Sequence, residues 1–235
     1  MFSENNEFEM YEQMHGVTLQ RHAIHTYMWM VLGMFVTAVT AYFLNVTNLN
    51  LRLLIGVPFM PWIMLIAELG VVVVFCARLM KMSTATAKLL FLVYSIITGF
   101  TFSLLTYQFS MQAISTAFFV TSIYFGSLVV IGHTIHADLS KVGVIASIGL
   151  LVMIVVEVVM MFMGINTYTR LFSAIGLLLF TAFTAYDAQK MKKLYYAYQG
   201  QPSVLKNLSI YSAFELYLDF IHLFLYILRF VSNDD

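Results

Sequence analysis

The chain has 235 residues, of which 61% are hydrophobic and only 10% charged, with formal net charge zero and a mean hydropathy of +0.85. Soluble domains carry about 25% charged residues, so this chain lacks the polar surface to face water on all sides. Its balanced charge, with no basic block, excludes nucleic acid as a partner. The single Cys76 excludes an intramolecular disulfide framework and any CxxC metal site.

Residues 1–20 carry Glu4, Glu7, Glu9 and Glu12 with little apolar periodicity and read as a mobile acidic cytoplasmic tail; residues 21–235 read as one membrane domain. A membrane-spanning helix needs about 20 mostly apolar residues. Seven stretches qualify: Ile24–Leu44, Pro61–Leu79, Ala87–Tyr107, Ala113–His133, Val142–Gly164, Tyr168–Ala188 and Leu208–Phe230. Pro58 and Pro61 interrupt the helical ladder at the start of the second. The first is too long for a removable signal and lacks a small-residue cleavage site. Ten-residue alternating strands, the mark of a membrane β-barrel, are absent. The expectation is an all-α integral membrane protein of seven spans with short connections and no soluble domain. No internal repeat of the inverted-repeat transporter kind is present.

With the N-terminus inside, the cytoplasmic segments carry Arg21, Arg78, Lys81, Lys88, Lys141, Lys190, Lys192, Lys193 and Lys206. The outer segments carry only Arg52, Arg170 and Arg229. This excess predicts a cytoplasmic N-terminus and an external C-terminus.

Outside the tails the acids are Glu68, Asp138, Glu157, Asp187, Glu215 and Asp219, and most fall within apolar stretches. A charge at bilayer depth costs at least ~2.5–3.5 kcal/mol, so such groups face the bundle interior or water. In the last span Glu215, Asp219 and His222 are spaced i, i+4, i+7 and share one helical face. A single polar residue there reads as interhelical glue; three on one stripe read as a pathway. Glu68 and Glu157 are further candidates for a polar or pore-facing lining. Arg78 reads equally as a snorkelling charge at the inner rim. His133 and His136, with Asp138 close by, make a candidate metal site with an incomplete ligand set.

TAYDAQ from Thr181, together with LYLDFIHLFLYILRF from Leu216, resembles the signature of the Bax inhibitor family, the transmembrane Bax-inhibitor-motif proteins. RLMKMS from Arg78, ITGFTFS from Ile97 and DLSKVG from Asp138 resemble further landmarks of that family, so the likeness covers nearly the whole chain after residue 20. The resemblance implies a seven-helix fold with the last helix central, and a pH-sensitive Ca²⁺ leak with a cytoprotective role. It implies that Asp187 and Asp219 form the gate, sharing a proton or hydrogen bond when closed, with Arg78 joining their network. The chain departs from the family pattern at His222, in DFIH where the family usually has DFIN, and at Glu157, where Asn is common.

The chemistry agrees with that implication. Two neighbouring carboxylates in low dielectric do not both ionise readily and titrate as a unit. One shared proton can tie two helices together, and its loss leaves repulsion or a bound cation. Carboxylate oxygens suit hard Ca²⁺, but a tight site needs six to eight oxygens. No EF-hand loop exists here, so calcium at Asp187 and Asp219 should be weak and hydrated, a permeant ion and not a tightly bound cofactor. Asp187 sits near the inner end of its span and Asp219 about mid-span. Their contact requires either that the sixth helix run on past Lys190 or that a water-filled vestibule reach them, and the sequence leaves both open.

Two other function classes bear on the same residues. One is a non-conducting regulator that binds other membrane proteins, such as a protease or a cell-death factor. The other is an intramembrane hydrolase. Tyr186–Asp187 matches the YD of intramembrane aspartyl proteases, but LYLDF is not their GxGD, and no GxSxG or HExxH occurs. The reading is therefore a non-enzyme whose partners are the bilayer, calcium ions and protons. The compact loops and missing retention signal suit a bacterial inner membrane.

Overall fold

The computed structural model describes residues 18–57, 59–78, 82–164 and 170–232. The acidic stretch of the N-terminal tail, with Glu4 to Glu12, lies outside the described residues, as do Pro58, Lys81 and the last three residues. The described chain is helical: α1 Leu19–Val46, α2 Leu49–Gly56, α3 Met60–Arg78, α4 Thr84–Ser103, α5 Met111–Thr134, α6 Ser140–Phe162, α7 Arg170–Ala197 and α8 Pro202–Ser232, with a 3-10 turn at Leu105–Tyr107.

Three helices start on the same local device. A hydroxyl at the N-cap accepts the backbone N–H three residues on: Thr18 from Arg21 at 3.3 Å, Ser83 from Thr86 at 3.2 Å and Ser110 from Ala113 at 3.1 Å. Each satisfies one of the donors that a helix start leaves unpaired. Pro61 falls in the first turn of α3, where its missing N–H costs nothing, so it opens that helix instead of breaking it. α7 is stopped by Gly200, whose φ of +93° lies in the left-handed region, and Pro202 then opens α8.

Among the described residues six helical segments are long and apolar enough to cross a membrane: Leu19–Val46, Met60–Arg78, Thr84–Tyr107, Met111–Thr134, Ser140–Met160 and Leu171–Ala197. They coincide with the first six expected spans. Their large apolar side chains point outward (Phe35, Ile66, Phe119, Ile145 and Leu178 are all exposed), the reverse of a soluble protein and the pattern of a lipid-facing surface. The chain is therefore a multi-pass integral membrane protein.

The seventh expected stretch, Leu208–Phe230, lies wholly within α8 but is not among those six segments. At 31 residues α8 is about 46 Å long, enough for a bilayer core. From 207 to 232 none of its residues is exposed, so its acids and histidine never face outward. Two further features differ from the sequence expectation. α2 is a helix where only a connection was expected, and α7 continues nine residues beyond Ala188.

The helices divide into two compact units. The first comprises Met1–Leu104 and Met191–Phe214, and the second Leu105–Lys190 and Glu215–Asp235. In the first, α1 and α4 meet at glycines. A β-carbon at Gly33 would fall 2.6 Å from the Phe91 ring, and one at Gly99 would fall 2.6 Å from Thr40. The Thr37 hydroxyl donates to the Ser95 carbonyl at 3.0 Å, and the Asn50 amide donates to Ser103 Oγ at 3.1 Å. The Phe214 ring lies 4.5 Å from Phe75 and edge-on to Tyr94 at 5.0 Å.

In the second unit, α7 is held by α5 and α6. Gly132 of α5 lies against the Ala185 carbonyl, and Gly143 and Gly149 of α6 lie against Tyr186 and Leu179. Tyr124 and Thr181 share a hydrogen bond of 2.8 Å. The Gln189 side chain accepts from Leu139 N at 2.9 Å and donates to the Ala137 carbonyl at 2.8 Å, fixing the start of α6 to α7. Phe220 of α8 sits edge-on to Phe118 and Phe125 of α5, at 5.7 and 5.5 Å.

Candidate functional site: carboxylates and a lysine between two helices

Thr184, Asp187 and Lys190 recur every third residue on α7, so Asp187 lies within one turn of each of the other two. The connection from α7 to α8 is only four residues, so the two helices double back on each other. Glu215 and Asp219 are one turn apart on α8, as Lys190 and Asp187 are on α7. The geometry is two rungs between one pair of helices. On the rung nearer the connection, Lys190 Nζ lies 2.5 Å from Glu215 Oε1, both half-buried. One turn further on, Asp187 and Asp219 are electrostatic neighbours.

Asp187 is 5% exposed and Asp219 3%. Oδ1 of Asp187 and Oδ2 of Asp219 are each fully buried with no hydrogen-bond partner. Thr184 is the hydrogen-bonding neighbour of Asp219, although its hydroxyl also donates to the Phe180 carbonyl at 2.7 Å. A buried carboxylate oxygen without a partner is costly. It is the natural place for a proton or a cation.

One of the two conditions for Asp187 to approach Asp219 is met: α7 runs past Lys190 to Ala197 as unbroken helix. Lys190 was legible only as one of the cytoplasmic positive charges. Its place three residues after Asp187 was the signal for its role here.

The other candidates have partners or positions of their own. Arg78 is the exposed last residue of α3, in the first unit. Glu68, also in the first unit, is half-buried and accepts the Thr101 hydroxyl of α4 at 2.9 Å. Glu157 of α6 pairs with Arg229 of α8 at 3.8 Å, and that guanidinium lies over the Tyr226 ring at 5.2 Å.

His222 shares the helical face of Asp219 but is engaged otherwise. Its ring stacks on Phe180 at 4.4 Å with planes 5° apart, and its Nδ1 lies 2.6 Å from the Leu218 carbonyl, which makes Nδ1 the protonated nitrogen. The charged group acting on it is Arg229.

Asp138, of the suggested metal cluster, accepts from Ser140 N at 3.1 Å and Ser140 Oγ at 2.8 Å at the start of α6. Among the described residues no three His, Cys, Asp or Glu side chains gather as a metal-binding group, at His133 and His136 or at the α7–α8 carboxylates.

Buried carboxylates on two helices of a bundle that otherwise presents apolar side chains outward define a polytopic membrane protein with an ionisable interior. Residues 19–235 match the family described as Inhibitor of apoptosis-promoting Bax1, and the chain belongs to this Bax inhibitor family. An uncharacterized protein of Rickettsia prowazekii is 33% identical over 92% of this chain and 90% of its own length. One of Deinococcus radiodurans is 36% identical over 89% of each. The inner membrane protein YbhL of Escherichia coli K12 is 32% identical over 92% of each. Neither the family description nor these relatives' names give an enzymatic activity.

Proposed function

We propose that this protein is a pH-sensitive calcium-leak channel of a bacterial inner membrane, gated by the carboxylate pair Asp187 and Asp219. The observation that carries this reading is the two unpartnered, buried carboxylate oxygens on adjacent helices of a membrane bundle. Two acids so placed hold a proton between them or a cation. With the proton, α7 and α8 are tied and the path is closed. Without it, the carboxylates repel, and the gap between them suits a weakly held, hydrated cation, as permeation requires. Glu157, Glu215 and His222 belong to the polar lining, calcium is cargo, and no tightly bound cofactor takes part. α8 is the seventh span in this reading, with the N-terminus cytoplasmic and the C-terminus outside. YbhL, named an inner membrane protein, supports the location.

The family description favours one second reading, a non-conducting regulator that binds other membrane proteins such as a protease or cell-death factor. Calcium flux into liposomes holding only the purified protein, wild type against Asp219→Asn across pH, separates the two. A pH-dependent flux that the substitution alters supports the channel. No flux above protein-free vesicles supports the regulator. Cleavage of peptide or lipid by the same preparation would favour an intramembrane hydrolase over both.

A further inference from the structure

Lys190 sits among the carboxylates of α7 and α8. Its ammonium lies 2.5 Å from Glu215 Oε1 and 5.8 Å from the centre of the Tyr186 ring. The aspartates one turn away feel both Lys190 and Glu215. We propose that Lys190 is a tethered cation that sets which ions the α7–α8 carboxylates admit, with Glu215 holding it aside from Asp187 and Asp219. This rests on the calcium reading above and specifies how that site selects.

The argument is one of charge. The three acids carry three formal negative charges when ionised, and Lys190 supplies one positive. With Lys190 drawn to Glu215, the aspartates present two negative charges and two unpartnered, buried oxygens, and one divalent ion matches them. The carboxylates do not gather into a coordination cage. The ion is therefore held by field and passes on, and the nearby fixed ammonium keeps it from being held too long.

Removing the two partners must then act in opposite directions. Lys190→Met leaves three negative charges with no internal cation. Cations are held more tightly, so the half-saturating calcium for flux falls by about tenfold, as one added unit charge at close range in a partly shielded site implies. Block by lanthanum strengthens in parallel. Glu215→Gln frees the ammonium to turn toward the aspartates, so half-saturating calcium rises by about the same factor. Lys190→Arg keeps the charge and restores the wild-type dependence. Lys190→Gln serves in place of Met if that variant does not fold. A merely structural ion pair predicts the same direction for both losses.

The test is calcium flux into proteoliposomes over a calcium titration, with terbium luminescence of the same variants in nanodiscs as the binding readout. Opposite shifts for Lys190→Met and Glu215→Gln support the proposal. Shifts in one direction, or none, overturn it. If wild-type vesicles pass no calcium, the channel reading fails by itself, and the signs of the terbium shifts still decide the role of Lys190.

Discussion

Gly132 of α5 lies directly against the backbone carbonyl of Ala185 in α7, closer than any β-carbon could approach, with the Ala188 methyl 2.9 Å from where that carbon would be. The obstacle is a backbone atom, which cannot swing aside as a side chain can. Asp187 lies between those two alanines, so this contact fixes the part of α7 that carries the acid.

Gly132→Val should therefore push α5 from α7. Overpacking of this kind costs typically 1–3 kcal/mol, and the expected result is a lower melting temperature of the detergent-solubilised protein together with an altered leak. An unchanged melting temperature would mean that the two helices separate freely at this point.

Asp219→Ala removes one half of the carboxylate pair. Leak should rise and lose most of its pH dependence between mildly acidic and neutral, because no proton remains to be shared between α7 and α8. Calcium flux into liposomes at several pH values checks this. A variant indistinguishable from wild type at every pH would reduce the pair to interhelical glue.

His222→Asn introduces the residue usual in the family but loses the stack on Phe180. A stacked ring pair contributes about 0.5–1.5 kcal/mol beyond its buried area, so a modest fall in thermal stability is expected. Because the imidazole is engaged by Phe180 and Leu218, the pH profile of the leak should keep its midpoint and lose only a minor component. A midpoint displaced by a full pH unit would make His222 the sensor.

A reporter fused after Asp235 should be active only on the non-cytoplasmic side, as the Lys and Arg distribution requires. The length of α8 permits this crossing. Cytoplasmic activity would make α8 a re-entrant element and the count six.

The sequence alone located six spans, because runs of about 20 apolar residues have one stable use in a chain this poor in charge. It also singled out Asp187, Glu215, Asp219 and His222, because ionisable groups in such runs stand out whatever they touch. It did not reveal α2, an eight-residue helix too short to show a decisive periodicity. Nor did it reveal that α7 continues through Lys190 to Ala197. A cluster of lysines marks where a chain leaves the bilayer, not where its helix ends.

Partnership was decided by the tertiary structure. That Lys190 meets Glu215, that Asp187 neighbours Asp219, and that His222 turns to Phe180 depend on how helices pair. Spacing along one helix says which residues share a face. Which face of another helix lies opposite is set by where glycines such as Gly132 and Gly143 let backbones and rings approach. That information is spread over helices far apart in sequence.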